Sequence, residues 1–259
     1  MEVIGNVGFA LLLTVIAGLS TGIGSSIAYF IKKPKTIYLS FSLGLSAGVM
    51  LYVSFVELLP KALESIGELM GVTAFFLGIF FISLIDMVIP EKENPHSFTG
   101  FSENIDSRNK KDLLRTGLFT ALAIGIHNFP EGLATFGTAL GDPKLGIVIA
   151  IAIAIHNIPE GISVSIPIFY ATNSKNKAFV YSFLSGVAEP IGAVIGFLVL
   201  LPFLSGAVLV SLMAFVAGIM VYISIDELLP MAHQYGHSHT VIIGVILGMM
   251  LMAFSIIIL

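Results

Sequence analysis

Eight runs of about 20 predominantly apolar residues, joined by very little else, constrain this chain more than any other feature. An α-helix needs about that length to cross a hydrocarbon core of about 30 Å. The runs cover residues 7–30, 37–59, 70–89, 113–139, 145–170, 178–200, 206–229 and 240–259. With 56% hydrophobic and 11% charged residues and a mean hydropathy of +1.00, the chain cannot coat itself with the polar surface of a soluble domain. The expected fold is an all-α integral membrane protein of eight transmembrane helices, one domain over 1–259. The opening MEVIGN has no basic stretch and no small-residue cleavage site follows, so the first helix is expected to be retained.

One connection is long and polar, residues 90–112, rich in Asn, Ser and charge; it reads as a cytoplasmic loop dividing three helices from five. Orientation follows from the basic residues. Lys32, Lys33, Lys35, Lys92, Arg108, Lys110, Lys111, Arg115, Lys175 and Lys177 flank the odd-numbered loops, and Lys61 and Lys144 alone lie on the other side. Ten against two places the odd loops in the cytoplasm and both termini outside. The net charge of −4 and the absence of a basic face argue against nucleic acid as a partner. With no cysteine, disulfides and thiolate sites are excluded.

Two internal repeats carry the functional signal. AGVMLYVSFVELLP, residues 47–60, matches AGIMVYISIDELLP, residues 217–230, at nine of fourteen positions. By the alternation of spans, helix 2 runs outward and helix 7 inward, so the copies are antiparallel. Helices 1–3 and 6–8 are thus expected to be inverted halves around a central pair, helices 4 and 5, as in many transporters. The second repeat lies on that central pair: AIGIHNFPEG at 123–132 and AIAIHNIPEG at 152–161.

On a helix, i and i+4 share a face, which sets His127 over Glu131 and His156 over Glu160, with Asn128 and Asn157 three residues from the same glutamates. Pro130 and Pro159 lack the N–H that would bond the carbonyls of Ile126 and Ile155, and are expected to kink their helices. Gly132 and Gly161 let another backbone come close. Two such helices side by side bring two His, two Asn and two Glu together near mid-membrane. Nitrogen and oxygen donors without sulfur suit Zn²⁺ or Fe²⁺ and accept Mn²⁺, Co²⁺ or Cd²⁺. A bare carboxylate there costs at least about 2.5 kcal/mol, so Glu131 and Glu160 need a cation, a proton or water. Glu189, in SGVAEPIGA, is a seventh candidate.

Blander readings stand beside this one. A lone intramembrane histidine often serves helix packing, although packing seldom demands six matched positions. Glu57 and Glu227, just before Leu-Leu-Pro, read as snorkelling interfacial carboxylates. Asp86 and Asp226 are candidates for gating or proton relay, and Gly44/Gly48 and Gly192/Gly196 are packing surfaces. His233, His237 and His239 either receive exiting metal or are simply solvated. Two alternatives of function stay open: a membrane-embedded metal-dependent hydrolase, which the lack of HExxH disfavours, and a metal exporter with the same ligands, for which ATP-driven pumping would require a separate subunit because the chain has no phosphate-binding loop.

With both HN-x-PEG hexads, the chain resembles the ZIP family of divalent metal transporters, and within it the bacterial ZupT-type zinc transporters, over essentially its whole length. The resemblance implies metal uptake across the cell inner membrane through a binuclear site. Its ligands would be Asn128 and Glu131 from helix 4, His156, Asn157 and Glu160 from helix 5, and Glu189 from helix 6, with Glu131 and Glu160 bridging. His127 matches a ligand of the zinc-preferring site in some members. It also implies that metal is cargo, with no catalytic cofactor, and that the partners are divalent ions and the lipid bilayer. The long loop offers only His96 as a metal trap. A homodimer, the physiological metal and proton coupling are left open.

Overall fold

In the computed structural model, which describes residues 6–30, 36–88, 110–200 and 205–258, eight long helices make up nearly all of the described chain. They are α1 (Val7–Phe30), α2 (Thr36–Ile66), α3 (Glu68–Val88), α4 (Lys110–Gly141), α5 (Pro143–Thr172), α6 (Lys175–Leu200), α7 (Gly206–Gln234) and α8 (Ser238–Ile258). No strand occurs among the described residues, so main-chain polar groups are satisfied inside helices, as a bilayer requires. Seven of these helices are long and apolar enough to cross a membrane. The other is α4, whose Lys110, Lys111, Asp112, Arg115 and hexad dilute its apolar residues; it is sheltered by α1, α5, α6 and α7. The expected loop over 90–112 ends sooner than expected, since α4 already begins at Lys110. The rest of that loop, including His96, lies outside the described residues.

Tight turns set neighbouring helices antiparallel. A single residue, Asp142, joins α4 to α5; its Oδ1 accepts from the N–H groups of Lys144 and Leu145, each at 3.1 Å, and Pro143 occupies the first helical position. Asp142 is thus an N-cap that satisfies two of the four N–H groups left free at a helix start. Its carboxyl is held below the usual carboxylate range, first by the Leu145 N–H bond and also by the Lys61 ammonium, 3.0 Å from Oδ2.

Leu-Leu-Pro was expected to end helices 2 and 7, and it does not. Both continue through a five-residue π-helical turn, Ser54–Leu58 in α2 and Ser224–Leu228 in α7, into a further α-helical stretch. The widened turn makes room for the rings of Pro60 and Pro230, whose nitrogens have no hydrogen to donate. In both copies the serine opening the turn donates to the carbonyl four residues back, Ser54 to Met50 and Ser224 to Met220, each at 2.7 Å. The sequence repeat is therefore a structural repeat.

The helices fall into two sets. α1, α4, α5 and α6 pack on one another, and so do α2, α3, α7 and α8. Within each set, glycines admit backbone contact in matched pairs. A Cβ at Gly24 or Gly192 would run into the carbonyl of Ile158 or Phe129, and one at Gly161 or Gly132 into that of Thr21 or Glu189. In the other set Gly48 meets Val245 and Gly218 meets Phe75. These pairings exchange under α1↔α6, α2↔α7, α3↔α8 and α4↔α5, the inverted repeat anticipated for 1–3 and 6–8 around a central pair. Between the sets, α2 lies on α5 and α4 on α7, and there Gly137 and Gly141 meet only the side chains of Leu209 and Leu212.

Candidate metal centre

The hexads lie at the middle of the first set. α4 and α5 run unbroken through Pro130 and Pro159, and Gly132 and Gly161 let α6 and α1 close in. His127, Asn128, Glu131, His156, Asn157, Glu160 and Glu189 are all at most 1% exposed. The structure thus gathers all seven candidates on three adjoining helices.

The i, i+4 spacing sets each histidine and glutamate on one face, and the pairing then crosses between the two helices. His127 Nε2 faces Glu160 Oε2 at 3.3 Å, and His156 Nε2 faces Glu131 Oε2 at 3.2 Å. Each imidazole meets the carboxylate of the other helix, because a two-fold packing of the hexads turns each histidine toward its partner's glutamate. In a low-dielectric interior, such direct contact between opposite partners is what holds a carboxylate. Ser46 Oγ of α2 adds a donor to Glu160 Oε1 at 3.3 Å.

The asparagines are symmetric as well. Asn128 Nδ2 donates to the Ser185 carbonyl at 3.1 Å, and Asn157 Nδ2 to the Ala17 carbonyl at 3.0 Å; Asn157 also donates to Glu189 Oε1. With the amide nitrogen occupied by a neighbouring helix, each side-chain oxygen is left over. Six buried atoms of these residues have no hydrogen-bond partner: His127 Nδ1, His156 Nδ1, Asn128 Oδ1, Asn157 Oδ1, Glu131 Oε1 and Glu189 Oε2. Orphaned buried acceptors are costly and uncommon, and every one of these six is an N or O atom of a kind that ligates divalent transition metals. As they stand, the imidazoles and carboxylates engage one another, and among the described residues no three His, Asp or Glu side chains converge on a common point.

Glu227 corrects the interfacial reading. It is 8% exposed, with Oε2 3.9 Å from His127 Nδ1 of α4, in a π turn that packs on α2. Glu57, its counterpart, is half-buried. Near Glu227, Tyr222 Oη donates to Asp86 Oδ2 at 3.2 Å. The three histidines at the junction of α7 and α8 do not converge: His237 Nε2 pairs with Thr36 Oγ1 at 3.0 Å and His233 Nδ1 with Ser238 Oγ at 3.3 Å. Sequence reasoning missed Ser46 altogether, a lone hydroxyl with no spacing signal. It also undervalued Glu227, whose place in the 217–230 repeat was the available clue.

A buried polar centre held between two inverted halves of a membrane bundle is the architecture of a carrier, and this chain is a multi-pass membrane transporter rather than an enzyme. It belongs to the ZIP zinc transporter family, whose sequence model matches residues 90–256. It is 54% identical to the zinc transporter ZupT of Chlorobium chlorochromatii (strain CaD3), covering 97% of each chain. Against the zinc transporter ZupT of Clostridium perfringens (strain 13 / Type A) it is 53% identical over 97% of this chain and 96% of the other. With that of Lysinibacillus sphaericus (strain C3-41) it shares 51% over 98% and 99%. Family membership removes the hydrolase alternative.

Proposed function

We propose that this protein takes up divalent metal, zinc first and Fe²⁺, Mn²⁺, Co²⁺ or Cd²⁺ with less discrimination, across the inner membrane into the cytoplasm. Asn128, Glu131, His156, Asn157, Glu160 and Glu189 ligate the ion, with His127 as a further donor, and Glu131 and Glu160 bridge when two ions are held. The observation that carries this reading is the set of six unpartnered donor atoms on these residues. An entering ion parts the crossed imidazole–carboxylate pairs and takes their lone pairs in place of its water. The donor set contains no thiolate, in line with a site that binds firmly enough to strip water yet releases its cargo. Ten of the twelve basic residues flank the odd-numbered loops, which supports a cytoplasmic side there and both termini outside. The set α1, α4, α5 and α6 then shifts against the other across a seam free of backbone contact at its glycines.

The test is uptake of radioactive zinc into proteoliposomes, beside Glu131→Ala/Glu160→Ala. The wild type loads zinc, and the double variant does not. Loading that is equal in both overturns the ligand assignment, and zinc that leaves rather than enters overturns the direction.

A further inference from the structure

The two-fold relation between the repeats is obeyed by the glycine contacts, the asparagine bonds to main-chain carbonyls, the crossed pairs and the π turns; among the places where it is broken, one sets a carboxylate against a hexad histidine on one side only. Glu227, in the π turn of α7, lies 3.9 Å from His127 Nδ1 of α4. Under the exchange α2↔α7 and α4↔α5, the matching contact joins Glu57, in the π turn of α2, to His156 of α5. That approach is not made: the carboxylate that pairs with His156 is Glu131, through Nε2, and Glu57 is half-buried where Glu227 is buried.

An inverted-repeat carrier reaches its other conformation when each half takes up the geometry of its counterpart. The half holding Glu57 here shows the geometry that the half holding Glu227 adopts when the site opens the other way. α2 and α7 run antiparallel side by side, since Ser40 near the start of α2 donates to the Ala232 carbonyl near the end of α7 at 2.9 Å. Glu57 and Glu227 therefore lie on opposite sides of the hexads along the membrane normal.

We propose that Glu57 is the outer of two alternating gate carboxylates. In the conformation related to this one by exchange of the repeats, Glu57 closes on His156 Nδ1 as Glu227 closes on His127 Nδ1 here, and each carboxylate withdraws when the other engages. The gates are not equivalent, because Asp226 stands beside Glu227 where the outer repeat has Val56. Glu57 acts through His156 on access to the centre, and is a positioning residue rather than a ligand.

The inference rests on the transport reading, and the experiment separates the two. Zinc uptake into proteoliposomes and equilibrium zinc binding by calorimetry are measured for wild type, Glu57→Gln, Glu57→Asp and, as a control on the exposed outer end of α2, Glu64→Gln. Glu57→Gln lowers maximal uptake at least about five-fold and leaves zinc affinity within about two-fold. Glu57→Asp recovers at least half of the uptake, and Glu64→Gln behaves as wild type. Unchanged uptake in Glu57→Gln overturns the gate. So does a parallel loss of affinity and uptake in both Glu57 variants, which marks a structural role. A wild type that carries no zinc overturns the transport reading and the gate together.

Discussion

The crossed pairing of the hexads makes a quantitative prediction that the same-helix arrangement does not share. His127 and Glu160 sit on different helices at 3.3 Å, as do His156 and Glu131 at 3.2 Å, all at most 1% exposed. Removing one member of a buried pair strands the other and costs about 3–5 kcal/mol, whereas replacing both with apolar residues is often close to neutral. A double-mutant cycle of His127→Leu and Glu160→Leu should therefore show a coupling at the upper end of the range for contacting residues, about 2–3 kcal/mol. The cycle of His127→Leu and Glu131→Leu should show at least about two-fold less, because those residues share a helix but not a contact. The assay is thermal denaturation of purified protein in metal-free detergent at one fixed scan rate. With about 2–4 °C of Tm per kcal/mol for a chain of this size, the crossed-pair coupling corresponds to about 4–12 °C. Equal couplings, or a larger one for His127 with Glu131, would refute the crossed arrangement and return the site to two independent helical faces.

Two further outcomes follow from the packing and the turns. Gly132→Ala and Gly161→Ala press a methyl group into the carbonyls of Glu189 and Thr21, and should cost about 1–3 kcal/mol by overpacking, read as a lower Tm together with weaker zinc binding. Gly206→Ala, which meets nothing within 4 Å, should leave both unchanged. Asp142 caps α5, so Asp142→Ala should cost about 0.5–2 kcal/mol, while Asp142→Asn, still able to cap, loses much less. Because the folded carboxyl is held below its ordinary 3.8, its contribution is present above that value and lost as pH falls through the lower, folded one. The Tm gap between wild type and Asp142→Asn should close over that acid window and stay constant between about pH 6 and 8.

What was legible in the sequence is what local pattern determines. Eight spans follow from run length, because a bilayer thickness translates directly into residues. Gly132 and Gly161 were read as close approaches, and a carbonyl stands against each. Two matching HN-x-PEG hexads point to a shared centre, and the seven side chains sit together on three adjoining helices. The rest depended on how helices meet. Leu-Leu-Pro reads as a helix stop, yet a π turn absorbs the proline and carries α2 and α7 seven and five residues past the expected ends, to Ile66 and Gln234. Glu227, in one of these turns, is buried while Glu57, in the other, is half-buried, a difference set by the neighbouring helices rather than by the shared sequence. The choice of Glu160 over Glu131 as partner for His127 is a property of the two-fold packing and has no signature within either hexad.

The arrangement explains why one histidine and one glutamate on one helix would not serve. A single helix presents its donors along one line, so it can pair them with each other but cannot surround an ion. Two antiparallel copies place each imidazole against the other's carboxylate, so each buried group is held by a partner; on the proposed reading an entering ion displaces both pairs together. Asn128 and Asn157 are tied by their nitrogens to α6 and α1, which leaves their oxygens over without any rearrangement of the helices. The centre therefore belongs wholly to one helical set, with Ser46 and Glu227 as its polar reach across the seam. On the proposed reading, donors carried on one helical set move past the other set with their geometry preserved, so a bound ion would keep its donors while the side that admits water changes.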